Sequence, residues 1–320
     1  MSAAAKIDFA ESERVQALHD LNILDTPAEE RFDRLTRLAR RLFDVPIALV
    51  SLVDSHRQWF KSHDGLDARE TPREWSFCSH AIADGEPLVV KDALNDERFR
   101  TNPLVLEDPS IRFYAGQPIS APGGAPIGTL CIIAREPREL DPDEAQLLAD
   151  IATLVEQEFT AIRLATSDEL TGLSNRRGFQ MLAKKALAVC DRAGTPATLL
   201  VIDLDGFKEI NDTLGHAEGD AALRSFAAEL LANYRESDVV ARLGGDEFCV
   251  FLSGATADDA PVTLEKLAER IDARNAGKDP VAHLRYSVGM AVYDPSTHDS
   301  LDELVAAADA LMYQDKGRRP

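Results

Sequence analysis

Residues 242–248 read Arg-Leu-Gly-Gly-Asp-Glu-Phe, and this segment constrains the fold more than any other in the chain. Apolar, strand-forming runs lie on both sides, at 239–241 and 248–252. A Gly-Gly pair between two such runs predicts a tight hairpin, because both positions tolerate positive φ. Asp246 and Glu247 follow the glycines, so two carboxylates lie beside a bare backbone. Such a site suits a phosphate with a divalent cation; the alternative is a turn with two solvated acids.

The size and charge of the chain limit its architecture and its partners. A length of 320 residues predicts two domains. A formal net charge of −20 argues against nucleic-acid and anionic-membrane partners, which need a basic surface. This net charge is still compatible with the binding of a small polyanion by a few local cationic side chains.

The amino-terminal residues and the cysteines bear on the compartment. The first 15 residues lack the basic start and apolar stretch of a signal peptide, and no apolar run approaches the roughly 18 residues of a membrane span. Cys78, Cys131, Cys190 and Cys249 show neither a CxxC pair nor zinc-site spacing. We therefore predict a cytoplasmic protein with reduced thiols.

The first half of the chain is typical of helices packed on an antiparallel sheet. Apolar residues at three- and four-residue spacing predict helix over residues 11–43. Strand-forming runs follow at 47–54, 87–90 and 128–134.

A long helix is predicted from Pro142 to about residue 166. Asp141 suits the N-cap, Pro142 the first helical position and Glu144 the third. A near-heptad spacing favours a parallel coiled coil. The seam residues are Leu148, Ile151, Val155, Ile162 and Ala165, with the polar Glu158 among them. The alternative is an ordinary amphipathic helix that lies on its own domain.

After Ser167 the pattern changes to alternating helices and strands. Helices are predicted over 176–191, 217–233, 260–273 and 301–315, and strands over 198–203 and 284–292 beside the hairpin. This βαββαβ-like order indicates an antiparallel-type sheet with helices on one face. The fold class is therefore α+β with two domains.

Asp203 ends the apolar strand 199–202 and places a carboxylate at the rim of that sheet. Asp205 lies two residues further and shares its face if the strand continues. Asp203 and Asp246 come from separate segments and are candidates to share a metal ion. The alternatives are a strand-ending cap at Asp203 and a merely solvated Lys208.

The second half resembles a GGDEF domain of the diguanylate cyclase family. Five segments carry the resemblance in order: DELTGLSNRRGF (168–179), VIDLDGFKEINDTLGHAEGD (201–220), RESDVVARLGGDEF (235–248), YSVGMA (286–291) and ADALMYQDK (308–316). The family implies a nucleotidyl-cyclase fold similar to the polymerase palm. It also implies condensation of two GTP molecules into cyclic di-GMP with release of two pyrophosphates.

The resemblance assigns roles at the predicted metal and phosphate site. Magnesium, with manganese as an alternative, is held by Asp203, Asp246 and the Leu204 carbonyl, and Glu247 is a further acid there. Backbone amides near Gly206 and Phe207, together with Lys208, hold the β- and γ-phosphates. Gly244 and Gly245 let the nucleotide lie against the hairpin. The implied catalytic set is Asp203, Lys208, Asp246 and Glu247.

Asn211 and Asp220 match the family's guanine-reading pair. A carboxylate accepts from guanine N1–H and the 2-amino group, whereas adenine lacks these donors, so Asp220 favours GTP over ATP. Without the resemblance, Asn211 is a turn residue and Asp220 an N-cap.

Arg235 and Asp238 match the family's RxxD inhibitory site for product, and Arg270 is a second candidate contact. Arginine forks onto phosphate or guanine, and aspartate accepts from guanine. The alternative is a surface salt bridge.

The carboxyl terminus departs from the family pattern. Lys316 matches, but the family continues with a spacer and a Gly-Arg-Asn segment, whereas this sequence ends Gly-Arg-Arg-Pro. The phosphate-contacting arginine is therefore Arg318 or Arg319.

Residues 23–140 resemble a GAF domain through LDTPAEERFDRL (24–35), FCSHAI (77–82), VVKDALNDERFRTNPLV (89–105) and IRFYAGQPIS…GTLCII (111–133). The family is silent on the ligand, which stays unknown. Candidate pocket residues are Trp59, Phe60, Trp75, Phe77, Cys78, His80, Phe113 and Tyr114. Core packing is the alternative for the aromatic residues. A haem or bilin attached at Cys78 and His80 is disfavoured against simple packing and hydrogen bonding.

These inferences combine into one expectation. A GAF sensor (1–140) biases a helical linker (141–167), which arranges two GGDEF domains (168–320) of a cytosolic homodimer. Each domain supplies half of the active site. The competing classes are a non-catalytic domain that binds GTP or cyclic di-GMP, and a hybrid cyclase that makes a mixed dinucleotide, which Asp220 disfavours.

Overall fold

The computed structural model describes residues 3–235 and 237–317. The chain divides into two compact units, Met1–Arg163 and Leu164–Pro320. Among the described residues, no helix combines the length and apolar character needed to cross a membrane.

The first unit is built on a six-stranded sheet. Its helices are α1 (Ala3–Asp20), α2 (Glu30–Leu42), α3 (Phe77–Asp84), α4 (Pro103–Leu106) and α5 (Pro142–Thr166), which ends in the second unit. Its strands are β1 (Ile47–Val53), β2 (Arg57–Asp64), β3 (Glu70–Pro72), β4 (Leu88–Val90), β5 (Phe113–Ser120) and β6 (Pro126–Ala134). The strand order is β3-β2-β1-β6-β5-β4, and every adjacent pair is antiparallel, as predicted.

The prediction of helix over 11–43 is wrong between residues 21 and 29. The structure has two helices, α1 and α2, with a non-helical segment from 21 to 29. Pro27 lies in this segment, and Asn22 and Asp25 adopt positive φ, a conformation that an α-helix does not accommodate.

The sheet of the first unit is buried on both faces. All seven residues of β1 are buried. Ala48, Val50 and Leu52 join a core with α1, α2 and α5, whereas Ile47 and Leu49 join a core with α3 on the other side. This division follows from the two-residue period of a strand.

α5 begins as predicted, but its apolar stripe contacts a different partner. The Asp141 carboxylate accepts from the Glu144 amide at 2.8 Å, and the Glu144 carboxylate accepts from the Asp141 amide at 3.1 Å, which confirms the N-cap. Leu148, Ile151 and Val155 are buried in the core of the first unit. The coiled-coil seam is therefore wrong for these three residues, because their own domain already covers them.

The second unit contains a four-stranded sheet. Its helices are α6 (Arg176–Ala193), α7 (Phe207–Leu214), α8 (His216–Asn233), α9 (Asp259–Asn275) and α10 (Leu301–Lys316). Its strands are β7 (Ala197–Leu204), β8 (Val239–Gly244), β9 (Glu247–Ser253) and β10 (Tyr286–Val292). The order is β10-β7-β9-β8, all antiparallel, and all eight residues of β7 are buried at the centre.

Helices cover both faces of this sheet, so the prediction of helices on one face is wrong. Leu200 and Ile202 pack with α8 and α9, whereas Leu199 and Val201 pack with α6 and α10. The continuous apolar run of β7 was the available signal, because a strand with one solvated face alternates between apolar and polar residues.

Candidate active site

The predicted acids meet at one edge of the four-stranded sheet. Asp203 is 7% exposed and is the penultimate residue of β7. It pairs in register with Glu247 of β9 on one side and with Ser287 of β10 on the other. The Leu204 amide donates to the Asp246 carbonyl at 3.2 Å. The end of β7 and the hairpin turn are therefore joined, which brings Asp203 and the Asp246–Glu247 pair to one edge.

Lys316, the last residue of α10, also lies at this edge, although it is 113 residues from Asp203 in the sequence. Its Nζ lies 2.5 Å from Asp203 Oδ1. This hydrogen bond raises the pKa of the Lys316 ammonium, and the negative charges of Asp246 and Asp205 act in the same direction. The contact shows that the Asp203 carboxylate accommodates a cation.

The hairpin turn has the backbone that the Gly-Gly pair predicts. Gly244 adopts φ of 148° and Gly245 φ of 54°. Apart from its two chain neighbours, no described residue places a heavy atom within 4 Å of a Cβ built on either glycine. The glycines are therefore required by their backbone conformation and not by crowding, and the space above the turn is open to another molecule.

Arg242 holds the turn in place, a role that the sequence did not reveal. Its Nε and Nη2 donate to the Gly245 carbonyl at 2.9 and 2.8 Å, and its Nη1 donates to the Asp168 carboxylate at 3.0 and 3.1 Å. Partial burial raises the pKa of Asp168, but hydrogen bonds from Thr171 and Arg242 outweigh it and hold that pKa below its usual value. The only indication of this role in the sequence was that Asp168 and Arg242 each lie in a segment that resembles the GGDEF family.

Glu247 lies near a cationic side chain of α6. Its Oε2 lies 3.6 Å from Nη2 of Arg176, the first residue of α6, and nearly half of its side chain is exposed. Glu247 therefore lies at the same edge as Asp203 and also close to the positively charged Arg176.

The predicted phosphate-binding segment forms the start of α7. Gly206 is the N-cap with φ of 70°, and Phe207 and Lys208 are the first helical residues. Backbone amides at a helix start have no intrahelical acceptor and attract anions. Lys208 is exposed beside them. Asp205 instead accepts from the Ser287 hydroxyl at 2.8 Å, so it bonds to β10.

The two predicted base-reading residues, Asn211 and Asp220, lie on the consecutive helices α7 and α8. A Cβ built on Gly219 would lie 2.0 Å from Asn211 Oδ1, so Gly219 leaves the space that the amide occupies. Asp220 follows directly and is exposed. It is the fifth residue of α8, so the alternative role as an N-cap is wrong. Sequence reasoning missed Gly219, because no residue next to it in the chain indicates that its hydrogen atom faces the Asn211 amide.

The predicted inhibitory site lies at the turn before β8. Asp238 Oδ2 accepts from the Arg235 amide at 2.9 Å, and Oδ1 accepts from the Ser253 amide at 3.1 Å. Arg235 is exposed, and Arg270 Nη2 lies 2.8 Å from Glu229 Oε2. Asp238 thus shapes the turn that presents Arg235. Arg318 and Arg319 lie outside the described residues.

The donors at the acidic edge fit a magnesium ion that takes some of its ligands from the protein and the others from a nucleotide. Within the described parts of the chain, no three His, Cys, Asp or Glu side chains form a ready metal cage. The predicted ligands are two carboxylates and the Leu204 carbonyl. Mg²⁺ typically binds through one or two carboxylates and takes its other ligands from water and substrate phosphates.

The first unit contains a cavity of about 340 Å³ on the α3 side of its sheet. Four of the predicted pocket residues line it, namely Phe60, Phe77, Cys78 and Tyr114. Trp59 and Phe113 belong to the core on the opposite face, so they do not line this cavity, and Trp59 instead lines a second cavity. They alternate with Phe60 and Tyr114 along their strands, and strand alternation sends neighbours to opposite faces. Trp75 and His80 are not among the residues that line this cavity.

Comparisons with known proteins match both halves of the chain. Residues 27–159 match the GAF domain family, and residues 165–319 match the family described as "Diguanylate cyclase, GGDEF domain". The chain is 42% identical over 172 residues to "Cyclic di-GMP phosphodiesterase PA2567" of Pseudomonas aeruginosa, which covers 53% of this chain and 29% of that protein. It is 37% identical over 153 residues to "Probable diguanylate cyclase DgcC" of Escherichia coli, which covers 48% of this chain and 41% of that protein.

One solved structure extends the likeness to three dimensions. It contains the coiled coil and GGDEF domain of DgcB from Caulobacter crescentus in complex with c-di-GMP. Its TM-score is 0.51 at 30% sequence identity, and the match covers 57% of this chain and 97% of that one. The chain spans less than half the length of the two curated relatives.

Proposed function

Because the chain carries a GAF domain followed by a GGDEF domain and so belongs to the GGDEF family, we propose that it is a diguanylate cyclase. The reaction is the condensation of two GTP molecules into cyclic di-GMP and two pyrophosphates. The observation that carries this proposal is the convergence of the Asp203 strand end, the Asp246 hairpin and Lys316 at one edge of the sheet. The likeness to DgcC and to the DgcB structure supports it.

Asp203, Asp246 and the Leu204 carbonyl are proposed to hold magnesium, with manganese as an alternative. When bound, the metal lowers the pKa of the attacking 3′-hydroxyl and offsets the charge of the leaving pyrophosphate. Asp203 is 7% exposed, so its orientation is fixed by packing before a nucleotide arrives. Glu247, in register with Asp203, supplies further negative charge at this edge.

The phosphates are proposed to lie between the start of α7 and Lys316. The amides of Phe207 and Lys208 point outward from the helix start, and the Lys208 ammonium adds a charge-assisted hydrogen bond. Lys316 is already within reach of the metal-binding carboxylate Asp203. We propose that Lys316 moves from this carboxylate to a phosphate oxygen when a metal ion binds to Asp203.

Guanine is proposed to bind between Asn211 and Asp220, with its ring against Gly244 and Gly245. Gly219, next to Asp220 in the chain, leaves the space that the Asn211 amide occupies, which supports a shared site for these two polar groups. A carboxylate at this position accepts from N1–H and the 2-amino group, which adenine does not offer. This chemistry favours GTP.

Cyclic di-GMP formation is proposed to need two copies of the chain. Each GGDEF domain has one acidic edge and binds one GTP, so the two nucleotides meet only when two domains face each other. The GAF domain and α5 are proposed to arrange this homodimer. Leu154 of α5 is 42% exposed and is available for contact with a second copy.

Product inhibition is proposed at Arg235, Asp238 and Arg270. The exposed Arg235 side chain stands on a turn that Asp238 closes through two backbone amides. Arg270 would exchange its ion pair with Glu229 for a product phosphate or guanine edge. Both arginines carry the planar fork that such groups need.

The test is conversion of GTP by the full chain in magnesium, followed by product chromatography. Asp246→Ala and Asp203→Asn should each abolish cyclic di-GMP formation, whereas Glu265→Gln, an exposed acid on α9, should leave it unchanged. Wild-type turnover by either acidic-edge variant would overturn the metal assignment. Incubation with mixed GTP and ATP should give cyclic di-GMP alone, and a mixed dinucleotide would indicate a hybrid cyclase.

A second candidate is a nucleotide-binding domain without turnover. The 42% identity to a protein named as a cyclic di-GMP phosphodiesterase favours this candidate. A region similar to this chain thus occurs in a protein whose name describes cleavage of cyclic di-GMP and not its synthesis. Calorimetric binding of GTP or cyclic di-GMP with no product would support this candidate and exclude the cyclase.

A further inference from the structure

Two free cysteines of the first unit line the same cavity. Cys78 is the second residue of α3, and Cys131 lies on the neighbouring strand β6. Both side chains are buried. The other two cysteines, Cys190 and Cys249, are packed in a core of the second unit among aromatic and aliphatic side chains. The chain therefore contains one paired thiol site and two buried thiols that serve as internal controls.

The surroundings of the Cys78 sulfur are polar on one side. The Tyr114 hydroxyl donates to Sγ at 3.3 Å, and the Thr129 hydroxyl donates at 3.0 Å. A Cβ on Gly116 would lie 2.1 Å from the Tyr114 oxygen, so this glycine leaves room for the hydroxyl. Cys78 also lies in the first turn of α3, where the helix dipole stabilises a negative charge.

These contacts divide the roles of the two thiols. Burial raises the pKa of Cys78, but interactions with the Cys131 thiol, Thr129 and Tyr114 outweigh burial and lower that pKa. The interaction with Cys78 raises the pKa of Cys131, and burial raises it further. The contacts therefore favour Cys78 over Cys131 as the thiol that loses its proton first.

The cavity that Cys78 and Cys131 line has the size and wall chemistry for a small apolar molecule. Its walls include Ile47, Leu49, Phe60, Ile111 and Ile133. Asp108 and Arg135 also line it, and their side chains are 92% and 58% exposed, so the cavity reaches the surface there. Apolar walls with a few polar groups are typical of small-molecule sites.

We propose that Cys78 and Cys131 form a thiol pair that reduces an organic hydroperoxide and becomes a disulfide. The Cys78 thiolate attacks the terminal peroxide oxygen, the O–O bond breaks, and the alkoxide leaves as an alcohol after taking a proton. The product is a Cys78 sulfenic acid. The Cys131 sulfur, after losing its proton, attacks the Cys78 sulfur, an S–S bond forms, and the hydroxyl leaves as water. Two thiols and one hydroperoxide thus give one disulfide, one alcohol and one water.

The experiment exposes the reduced full chain to substoichiometric cumene hydroperoxide and, in parallel, to hydrogen peroxide. Free thiols are then alkylated, and peptides are identified by mass spectrometry. A disulfide-linked Cys78–Cys131 peptide pair should form at least about tenfold faster than any oxidation of Cys190 or Cys249. Cumene hydroperoxide should react faster than hydrogen peroxide, because the cavity walls are apolar. A small dithiol should reverse the modification.

Variants separate the two roles. Cys131→Ser should stop the reaction at a Cys78 sulfenic acid that a dimedone reagent traps, and Cys78→Ser should leave Cys131 unmodified. Tyr114→Phe and Thr129→Val should each slow oxidation by up to about tenfold, since one pKa unit changes the thiolate fraction tenfold. Equal oxidation of Cys78, Cys190 and Cys249 in the wild-type chain would overturn the proposal, and that comparison needs no variant. So would a Cys78 that stays reduced while free thiols in solution are consumed.

Discussion

Arg242 joins Asp168 to Gly245 through four hydrogen bonds, two to the carboxylate and two to the carbonyl oxygen. Asp168 lies just after α5, and Gly245 is the second glycine of the hairpin turn. One side chain, 12% exposed, therefore links the beginning of the second unit to its acidic edge. We infer that Arg242 fixes the position of Asp246 without contacting substrate.

Arg242→Ala should lower kcat by about tenfold or more and destabilise the domain by about 1.5–3 kcal/mol, because it removes charge-assisted hydrogen bonds. Asp168→Asn should produce a smaller loss of the same kind. A double-mutant cycle on turnover and on urea unfolding measures the coupling. Strictly additive effects of Asp168→Ala and Arg242→Ala would show that the two residues act separately.

Gly219→Ala separates positioning from stability. Alanine raises helix propensity by about 1 kcal/mol at a helical position, but its Cβ would collide with Asn211 Oδ1 at 2.0 Å. The expected result is an increase in KM for GTP of about tenfold, with a smaller change in kcat. Steady-state kinetics and thermal unfolding on the same preparation provide the check. An unchanged KM would remove Asn211 from the base-reading site.

Glu11 should make the first unit sensitive to acid. Its carboxylate lies 2.7 Å from both Arg14 Nη2 and Arg73 Nη1. The hydrogen bond from Arg14 is the main reason that its pKa falls to about 2 from 4.5, and Arg73 contributes. A lowered pKa in the folded state stabilises the fold above pH 4.5, and this contribution is lost as pH falls from 4.5 towards 2.

The free energy of unfolding of Glu11→Gln should therefore fall below that of the wild-type chain by about 1 kcal/mol at neutral pH, after allowance for the exposure of the pair. The difference should shrink as the pH falls towards 2. The exposed Glu13→Gln is the matched control and should show no such trend. A difference between wild type and Glu11→Gln that stays constant from pH 7 to pH 2 would contradict the ion-pair explanation.

The two ends of the inhibitory segment should respond differently to substitution. Arg235→Ala removes an exposed side chain and should relieve product inhibition with little change in Tm. Asp238→Ala also leaves the Arg235 and Ser253 amides without their acceptor, so Tm should fall as well. Initial rates at increasing cyclic di-GMP, together with thermal scans, test both variants. Equal inhibition of wild type and Arg235→Ala would remove the RxxD assignment.

Short-range sequence patterns determined several local features of this protein and the identity of its two domains. The Gly-Gly pair specifies a turn with positive φ, and Asp141 with Glu144 specifies a helix start, because each depends only on residues a few positions apart. The sequence segments that resemble the GAF and GGDEF families identify both domains for the same reason, because each segment is contiguous in the chain.

Only the tertiary structure decided what each buried face contacts. Periodicity shows that Leu148, Ile151 and Val155 are apolar on one side of α5, but a partner helix and the helix's own domain bury that side equally well. The same holds for Trp59, which faces the core opposite the cavity, and for Gly219, whose missing side chain matters only beside Asn211. The ion pair between Asp168 and Arg242 joins residues 74 positions apart. Contacts at such separation depend on how strands and helices pack, and no local pattern in the sequence specifies them.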